Sequence, residues 1–471
     1  MAERSADSIQ RFLDGVYPYR REFETIRRLP EQGKERADVL GMLEAMAARE
    51  DAKGDLGQVS GSLYHGQHEH YHFLTEAYRY FAHSNVLQRD MYPSATKLEG
   101  EIVAMTLGML HGEAALDACG VLTSGGTESL LTQVYTYREW GRAKGIERPE
   151  IIGPYTVHCA VDKAAHYFDV NYVKAPVRAD WKADVQWIAD RITPNTVAIV
   201  ASAGNYPHGV IDPIEELGQL ALQHGIGLHV DGCLGGFILP WGEQLGYDIP
   251  RFDFRVPGVT SISADTHKYG YALKGTSVLC YATKELRQFQ YFTAAEWPGG
   301  TYLSPGMAGS RSGGLIAATW AAMVSLGEEG YLAVAKDIFA TTEALVEGIR
   351  AVPGLKILGD PTFLVAFASD EFDIFHLNDA LQAKGWRMNG LQHPRALHFC
   401  VTRPNTAPGV IERFLTDLAD AAAYARNPTR PTPRSGALYG LAGTGPEGIK
   451  AVHEMLTGAI DAFYDVAPPA P

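Results

Sequence analysis

Cysteine is scarce. The 471 residues contain five, Cys119, Cys159, Cys233, Cys280 and Cys400, none in a CxxC pair or at metal-ligand spacing. That pattern excludes a disulfide framework and a thiolate zinc site, and predicts free thiols, packed as core residues, in a reducing compartment. Positive charge is also short. With 41 Lys and Arg against 55 Asp and Glu, the formal net charge is −14. Such a surface repels phosphate polymers, which excludes general nucleic-acid or acidic-membrane binding but leaves room for one local basic pocket. No apolar run approaches the ~20 residues that a bilayer span needs. The N-terminal stretch MAERSADSIQRFLDGVYPYRREFETIRRL carries charges of both signs and no apolar signal core. The sequence therefore predicts a cytoplasmic protein without membrane insertion; it shows no internal repeat, and no metal site is expected.

What is present is a chain long enough for two or three domains. Residues 1–56 read as amphipathic helical pieces, with Ile9, Phe12, Leu13, Val39, Leu40 and Leu43 on apolar faces, and predict an arm or docking segment. The glycine-rich stretch GDLGQVSGSLYHG, which holds Tyr64, predicts a loop packed over something. Two helices follow, over His70–Phe81 and about Ala95–Leu110. From Gly120 short apolar runs alternate with helical patterns, the signature of a mainly parallel sheet covered on both faces. In such sheets ligands collect beyond the carboxyl ends of the strands. After SPGMAGSRSGG a helix leads into KILGD, TFLVAFAS and ALHFCVT, three further strands. The expected division is an arm at 1–56, a large α/β domain at 57–327 and a smaller α/β domain at 328–471, with a proline-rich linker near Pro428–Pro433.

The stretch SISADTHKYGYALK draws these elements together. A buried strand ends in it, and Lys268 follows, with His267 before it and small or aromatic residues after it. A lysine so placed is an amine held ready for covalent chemistry. Three other strand ends bear on it. At Thr123-Ser124-Gly125-Gly126-Thr127 a strand gives way to a helix whose free N–H groups and dipole can face one phosphate. The same residues also make an ordinary strand-to-helix turn. At LHVDG the carboxylate of Asp231 closes an apolar strand and needs a cation, and a protonated pyridine nitrogen would serve; capping of the next turn is the other reading. His158 stands near a further strand end, where its ring can stack on a cofactor ring, whereas His166 falls on a helix and reads as core or surface. Phosphate loop, stacker, acid and lysine, in that order, point jointly to pyridoxal 5'-phosphate.

With those residues assembled, the chain resembles the fold type I pyridoxal phosphate enzymes of the group II decarboxylase type, and within them the sphingosine-1-phosphate lyases. The resemblance runs through GQVSGSLY, NVLQRDMYPSATKLEGEIVAM, TSGGTES, HCAVDKAAHYF, NYPHGVIDPI, HVDGCLGGF, SADTHKYGYALKG, AGSRSG and ALYG. HVDGCLGGF and THKYGYALKG are the most specific. It implies a mainly parallel seven-stranded sheet with a smaller C-terminal α/β domain. It also implies a homodimer with shared active sites.

Residue by residue, the resemblance makes Lys268 the Schiff-base lysine, Asp231 the partner of the pyridine nitrogen and His158 the stacking residue. Gly125, Gly126, Thr127 and His267 would hold the cofactor phosphate, with Ser310 reaching it from a neighbouring subunit. Tyr64, Asn85 and Lys274 would face a substrate phosphate and Tyr206 the reacting carbons. The family reads NPLH where this chain has Asn85-Val86-Leu87-Gln88, so Gln88 replaces a histidine, and a neutral amide brings hydrogen bonds without charge. The adjacent Arg89 is a candidate to restore it. The activity implied is retro-aldol cleavage of a phosphorylated long-chain amino alcohol to an aldehyde and phosphoethanolamine. An amino-acid decarboxylase is the runner-up, and a noncatalytic cofactor-binding protein a distant third.

Overall fold

The computed structural model describes residues 19, 22–435 and 446–464. The expected arm residues Ile9, Phe12 and Leu13, the ALYG run and the APPAP tail lie outside the described residues.

Seven strands form the large sheet: β1 (Cys119–Thr123), β2 (Glu150–Pro154), β3 (Asn171–Ala175), β4 (Thr196–Ser202), β5 (Gly227–Asp231), β6 (Ser261–Ala264) and β7 (Ser277–Tyr281), in the order β1-β7-β6-β5-β4-β2-β3. Strands β2 to β6 pair in parallel, whereas β7 runs antiparallel to both β1 and β6. The reversal has a local cause. Parallel neighbours need a crossover, usually a helix, but the segment between Ala264 and Ser277 is spent on the turn that carries Lys268, so the chain returns directly. Strands β4, β5, β6 and β7 are buried at every residue, as expected of strands covered on both faces. This is the expected α/β, fold type I arrangement, and all strands except β7 end on one edge of the sheet.

A short ribbon, β8 (Phe292–Ala294) with β9 (Tyr302–Ser304), follows. The helix Gly313–Ala351 then starts from Ser312, whose hydroxyl accepts from Leu315 N, and breaks at Gly327, where φ is 57° and ψ −179°. Beyond it β10 (Leu355–Ile357), β11 (Leu364–Ser369), β12 (Asn389–Gln392) and β13 (Arg395–Cys400) form an antiparallel sheet in the order β10-β11-β13-β12. Three of these are the expected strands; β12 lacks the apolar run that would have announced it.

The glycine-rich loop docks on this smaller sheet. Ser60 Oγ accepts from Cys400 N at 2.9 Å and donates to His398 O at 3.1 Å, while Ser60 N donates to Arg387 O at 3.0 Å. Gly57, at φ 66°, has no room for a side chain, since a Cβ there would lie 2.6 Å from Pro404 O. Earlier in the chain, the helix Arg36–Asp55 leaves Val39, Leu40 and Leu43 exposed.

Candidate active site

The site begins with the turn after β6. Asp265, Thr266 and His267 leave the strand, and Thr266 Oγ1 donates to Thr276 Oγ1 at 2.7 Å, which closes the base of the loop. Tyr271 then takes φ 60°, a left-handed conformation that costs a bulky residue of order 1–3 kcal/mol. The contacts that hold it are His70, whose ring nitrogen lies 2.7 Å from Tyr271 O, and Tyr331, whose hydroxyl donates to Gly270 O at 2.9 Å. The result is a reversal that brings Lys274 back over the start of the turn, its Nζ donating to His267 O at 3.1 Å.

Lys268 Nζ lies 2.9 Å from Asp265 Oδ2. Burial alone would lower the lysine's proton affinity, but the carboxylate outweighs it and holds the ammonium above its ordinary range. Burial likewise pushes Asp265 up, and Lys268 and His267 more than offset it, so this carboxyl stays below its usual range. His267 bonds Thr276 O through Nδ1 at 2.7 Å and has Nε2 3.5 Å from Asp265 Oδ2.

Facing this turn is the start of the helix Gly126–Ala143. Its N-cap, Gly125, has φ 147° and no side-chain cap, so the first N–H groups of the helix are left for another acceptor. A Cβ on Gly125 would lie 3.3 Å from His267 Cε1, and one on Gly126 2.7 Å from Asp265 Oδ2. Gly125, Gly126, Thr127 and His267 thus form one cradle that side chains would fill. Glu128, one residue on, accepts from Ser124 N at 2.7 Å and Met307 N at 3.1 Å, and so ties the cradle to the segment before Ser310.

A cavity of about 320 Å³ opens beside Lys268. Asp231, His158, Tyr206, Tyr64 and Lys274 all line it. Asp231 sits at the end of β5, buried, its Oδ1 accepting from Cys233 N at 3.0 Å and lying 3.4 Å from Ser263 Oγ. His158 accepts from Ala160 N at 3.1 Å through Nδ1, which fixes the ring. Lys274 Nζ lies 4.6 Å from the centre of the Tyr64 ring, and burial, with the neighbouring Lys268 charge, pulls its ammonium down to about 8. His166 lies on the helix Ala160–Phe168, is exposed and does not line the cavity.

Seven expected site residues are not on the wall of this cavity: Gly125, Gly126, Thr127 and His267, which form the cradle, and three more. Asn85, Gln88 and Ser310 do not line this cavity. Asn85 Nδ2 donates to Ser310 Oγ at 3.0 Å, and Val86 N to Arg311 O at 3.0 Å, so the two segments form a unit of their own. Arg89 does not replace the missing histidine. It is bound to Glu99, which also takes Arg311 Nη1 at 2.9 Å.

Other residues on the cavity wall escaped the sequence reading. His398 and Cys400, on β13, and Arg387 and Asn389, at β12, line it. Burial holds the His398 ring down at about 4. Asp265 was visible only as part of a motif; its spacing three residues before Lys268, on a tight turn, was the available signal.

The comparisons with known proteins agree with this geometry. Residues 62–368 match the pyridoxal-dependent decarboxylase conserved domain. Mouse sphingosine-1-phosphate lyase 1 is 42% identical over 446 residues, covering 94% of this chain and 78% of that protein. The chain belongs to the sphingosine-1-phosphate lyase family. Within that family, the structure of the Burkholderia pseudomallei lyase superposes with a TM-score of 0.89 at 51% identity, over 95% of this chain and 99% of the other. At 19% identity, glutamate decarboxylase from Lactobacillus brevis shares the fold, with a TM-score of 0.74 over 88% of this chain and 98% of the other. The family's cofactor is pyridoxal 5'-phosphate, and the residues present fit it: a glycine cradle at an uncapped helix start, a buried carboxylate at the end of β5 and a lysine between them.

Proposed function

We propose that the protein is a pyridoxal-phosphate-dependent carbon–carbon lyase that cleaves a phosphorylated long-chain amino alcohol of the sphingosine-1-phosphate type to a fatty aldehyde and phosphoethanolamine. The observation that carries this is the placement of Lys274 against Tyr64 on the wall of the cavity that Lys268 and Asp231 also line. A phosphate monoester carries about −1.5 to −2 charges at neutral pH, more than an amino acid's single α-carboxylate, and calls for a cation beyond the anchor lysine.

When bound, the cofactor supplies an electron sink for the Cα–Cβ bond of an amine substrate. The chain's own residues do the rest. Gly125, Gly126, Thr127 and His267 would hold the cofactor phosphate, Asp231 would face its ring nitrogen and His158 would stack on its ring. Lys268 is the covalent anchor and carries a proton at Nζ. Tyr206, edge-on to His398 at 4.8 Å between ring centres, would stand near the reacting carbons, where its hydroxyl, Lys268 Nζ or a bound phosphate would exchange a proton. Tyr64 and Lys274 orient the substrate through its phosphate.

The active unit of this reading is a homodimer, in which Asn85, Gln88 and Ser310 serve the partner's cavity. The exposed Leu87, Met91 and Met307 beside them support this. The division into an arm, a large domain at 57–327 and a small one at 328–471 follows the break at Gly327. A cytoplasmic location is supported by the five free cysteines; among the described residues no helix is long and apolar enough to cross a membrane.

The test is mass spectrometry of products from sphingosine-1-phosphate and a panel of amino acids, with Lys268→Ala as control. A long-chain aldehyde with phosphoethanolamine is expected, and the variant should lose both turnover and the visible absorbance of the bound cofactor. Carbon dioxide and an amine from an amino acid, without aldehyde, would replace the lyase by a decarboxylase.

A further inference from the structure

The charges on the cavity wall leave one cation without a role. Lys268, Lys274 and Arg387 line it, against a single carboxylate, Asp231. Lys268 is balanced by Asp265, and Asp231 would be taken up by the bound cofactor's ring nitrogen. Among the described residues, Lys274 hydrogen-bonds a backbone carbonyl and no carboxylate. Arg387 has no carboxylate partner among the described residues; its Nη1 donates to Ser62 Oγ at 3.3 Å. In a chain of net charge −14, two cations facing one cavity without counterions define an anion site.

The backbone holds Arg387 in place. Arg387 N donates to Gln58 O at 2.9 Å and Ser60 N donates to Arg387 O at 3.0 Å, so the residue is clamped to the loop that presents Tyr64. Ser62, which receives the guanidinium, adopts φ 63°, a conformation a serine takes only where its surroundings enforce it. The side chain is therefore positioned by the same loop as the phosphate-facing tyrosine.

Magnitudes favour a two-cation site. A phosphate monoester carries about −1.5 to −2 charges at neutral pH. Lys274 alone falls short, because one ammonium offsets at most one of those charges, and Gln88 adds none. A guanidinium stays protonated throughout and offers a planar fork to two phosphate oxygens. We propose that Arg387 is a specificity-determining residue that binds the anionic phosphate of the substrate together with Lys274, an assignment that rests on the lyase reading above.

Arg387→Met and Arg387→Lys keep the backbone clamp and separate charge from shape. For sphingosine-1-phosphate, the Met variant is expected to raise KM by about tenfold, the loss of one charge-assisted contact, with a smaller change in kcat; Lys restores part of it. Calorimetric titration of phosphoethanolamine into each holoenzyme reads the same contact without turnover, and should weaken by a similar factor in the Met variant and less steeply depend on salt. Unchanged circular dichroism and cofactor absorbance exclude a folding defect. Equal phosphoethanolamine affinity in wild type and Arg387→Met would overturn the role of Arg387. Absence of aldehyde from the wild type would instead overturn the lyase reading.

Discussion

Asp265 Oδ2 stands 2.9 Å from Lys268 Nζ, and the other oxygen of that carboxylate, Oδ1, is buried without a hydrogen-bond partner among the described residues. A carboxylate in that position needs a cation, and Lys268, the proposed reactive lysine, is the one provided. The pair aims Nζ, but it also keeps the amine protonated, which is the unreactive form.

Loading of the cofactor should reveal this conflict. The proton affinity of Lys268 is raised, so at pH values below its pKa it is an ammonium, and the neutral fraction that attacks a carbonyl grows as pH rises. Cofactor-stripped wild type is therefore expected to take up pyridoxal phosphate faster with increasing pH. Asp265→Asn removes the carboxylate and should load about tenfold faster at neutral pH, the effect of one pKa unit. Stopped-flow visible absorbance reads both rates, and equal rates would show that Asp265 does not control the amine.

Lys274 sets a second pH dependence with the opposite slope. Its ammonium, held down to about 8, is charged below that value and loses its charge as pH rises through it. For a phosphorylated substrate kcat/KM should fall above pH about 8, and Lys274→Met should lower the plateau and remove the limb. A limb that survives in Lys274→Met belongs to another group.

Glu99 offers a stability test away from the chemistry. Burial raises its carboxyl, but Arg311 and Arg89 overcome this and its pKa is lowered. A depressed carboxyl contributes stability that is present above its unfolded pKa and is lost as pH falls through the folded one. Glu99→Gln strands two arginines and is expected to cost about 3 kcal/mol, read as a lower urea midpoint at neutral pH. The gap between variant and wild type should close as the pH is lowered into the acid range.

Much of the site was legible because its residues sit at strand ends, where an apolar run followed by a polar residue marks the place. Lys268, Asp231 and Gly125 were found in that way, and they converge because every strand of the large sheet except β7 ends on one edge. The turn to Lys274 was not legible as geometry: nothing in YGYALK announces that Tyr271 goes left-handed and folds the second lysine back over His267. Arg387 and His398 were hidden for another reason. They reach the cavity from the side of the smaller sheet, Arg387 through its backbone bonds to Gln58 and Ser60 and His398 through its contacts with Tyr206 and Pro207, all partners remote in sequence. Arg89 looked like a substitute for a histidine by adjacency in sequence, yet its side chain is committed to Glu99.

The last prediction concerns the two segments joined by the hydrogen bond from Asn85 Nδ2 to Ser310 Oγ. If Ser310 completes the partner's cradle, a carboxylate there repels a cofactor phosphate in the neighbouring site and leaves its own site intact. Ser310 is exposed in the single chain, so Ser310→Glu is expected to fold and to give an inactive homodimer. Lys268→Ala is also expected to be inactive, by loss of the proposed anchor. Mixed and allowed to exchange subunits, the two inactive proteins should regain about a quarter of wild-type activity, because half the dimers are mixed and each has one complete site. The test separates two geometries sharply: were Ser310 to act within its own chain, no mixed dimer would hold a complete site. Activity measured over the course of subunit exchange would then stay at the level of the separate variants.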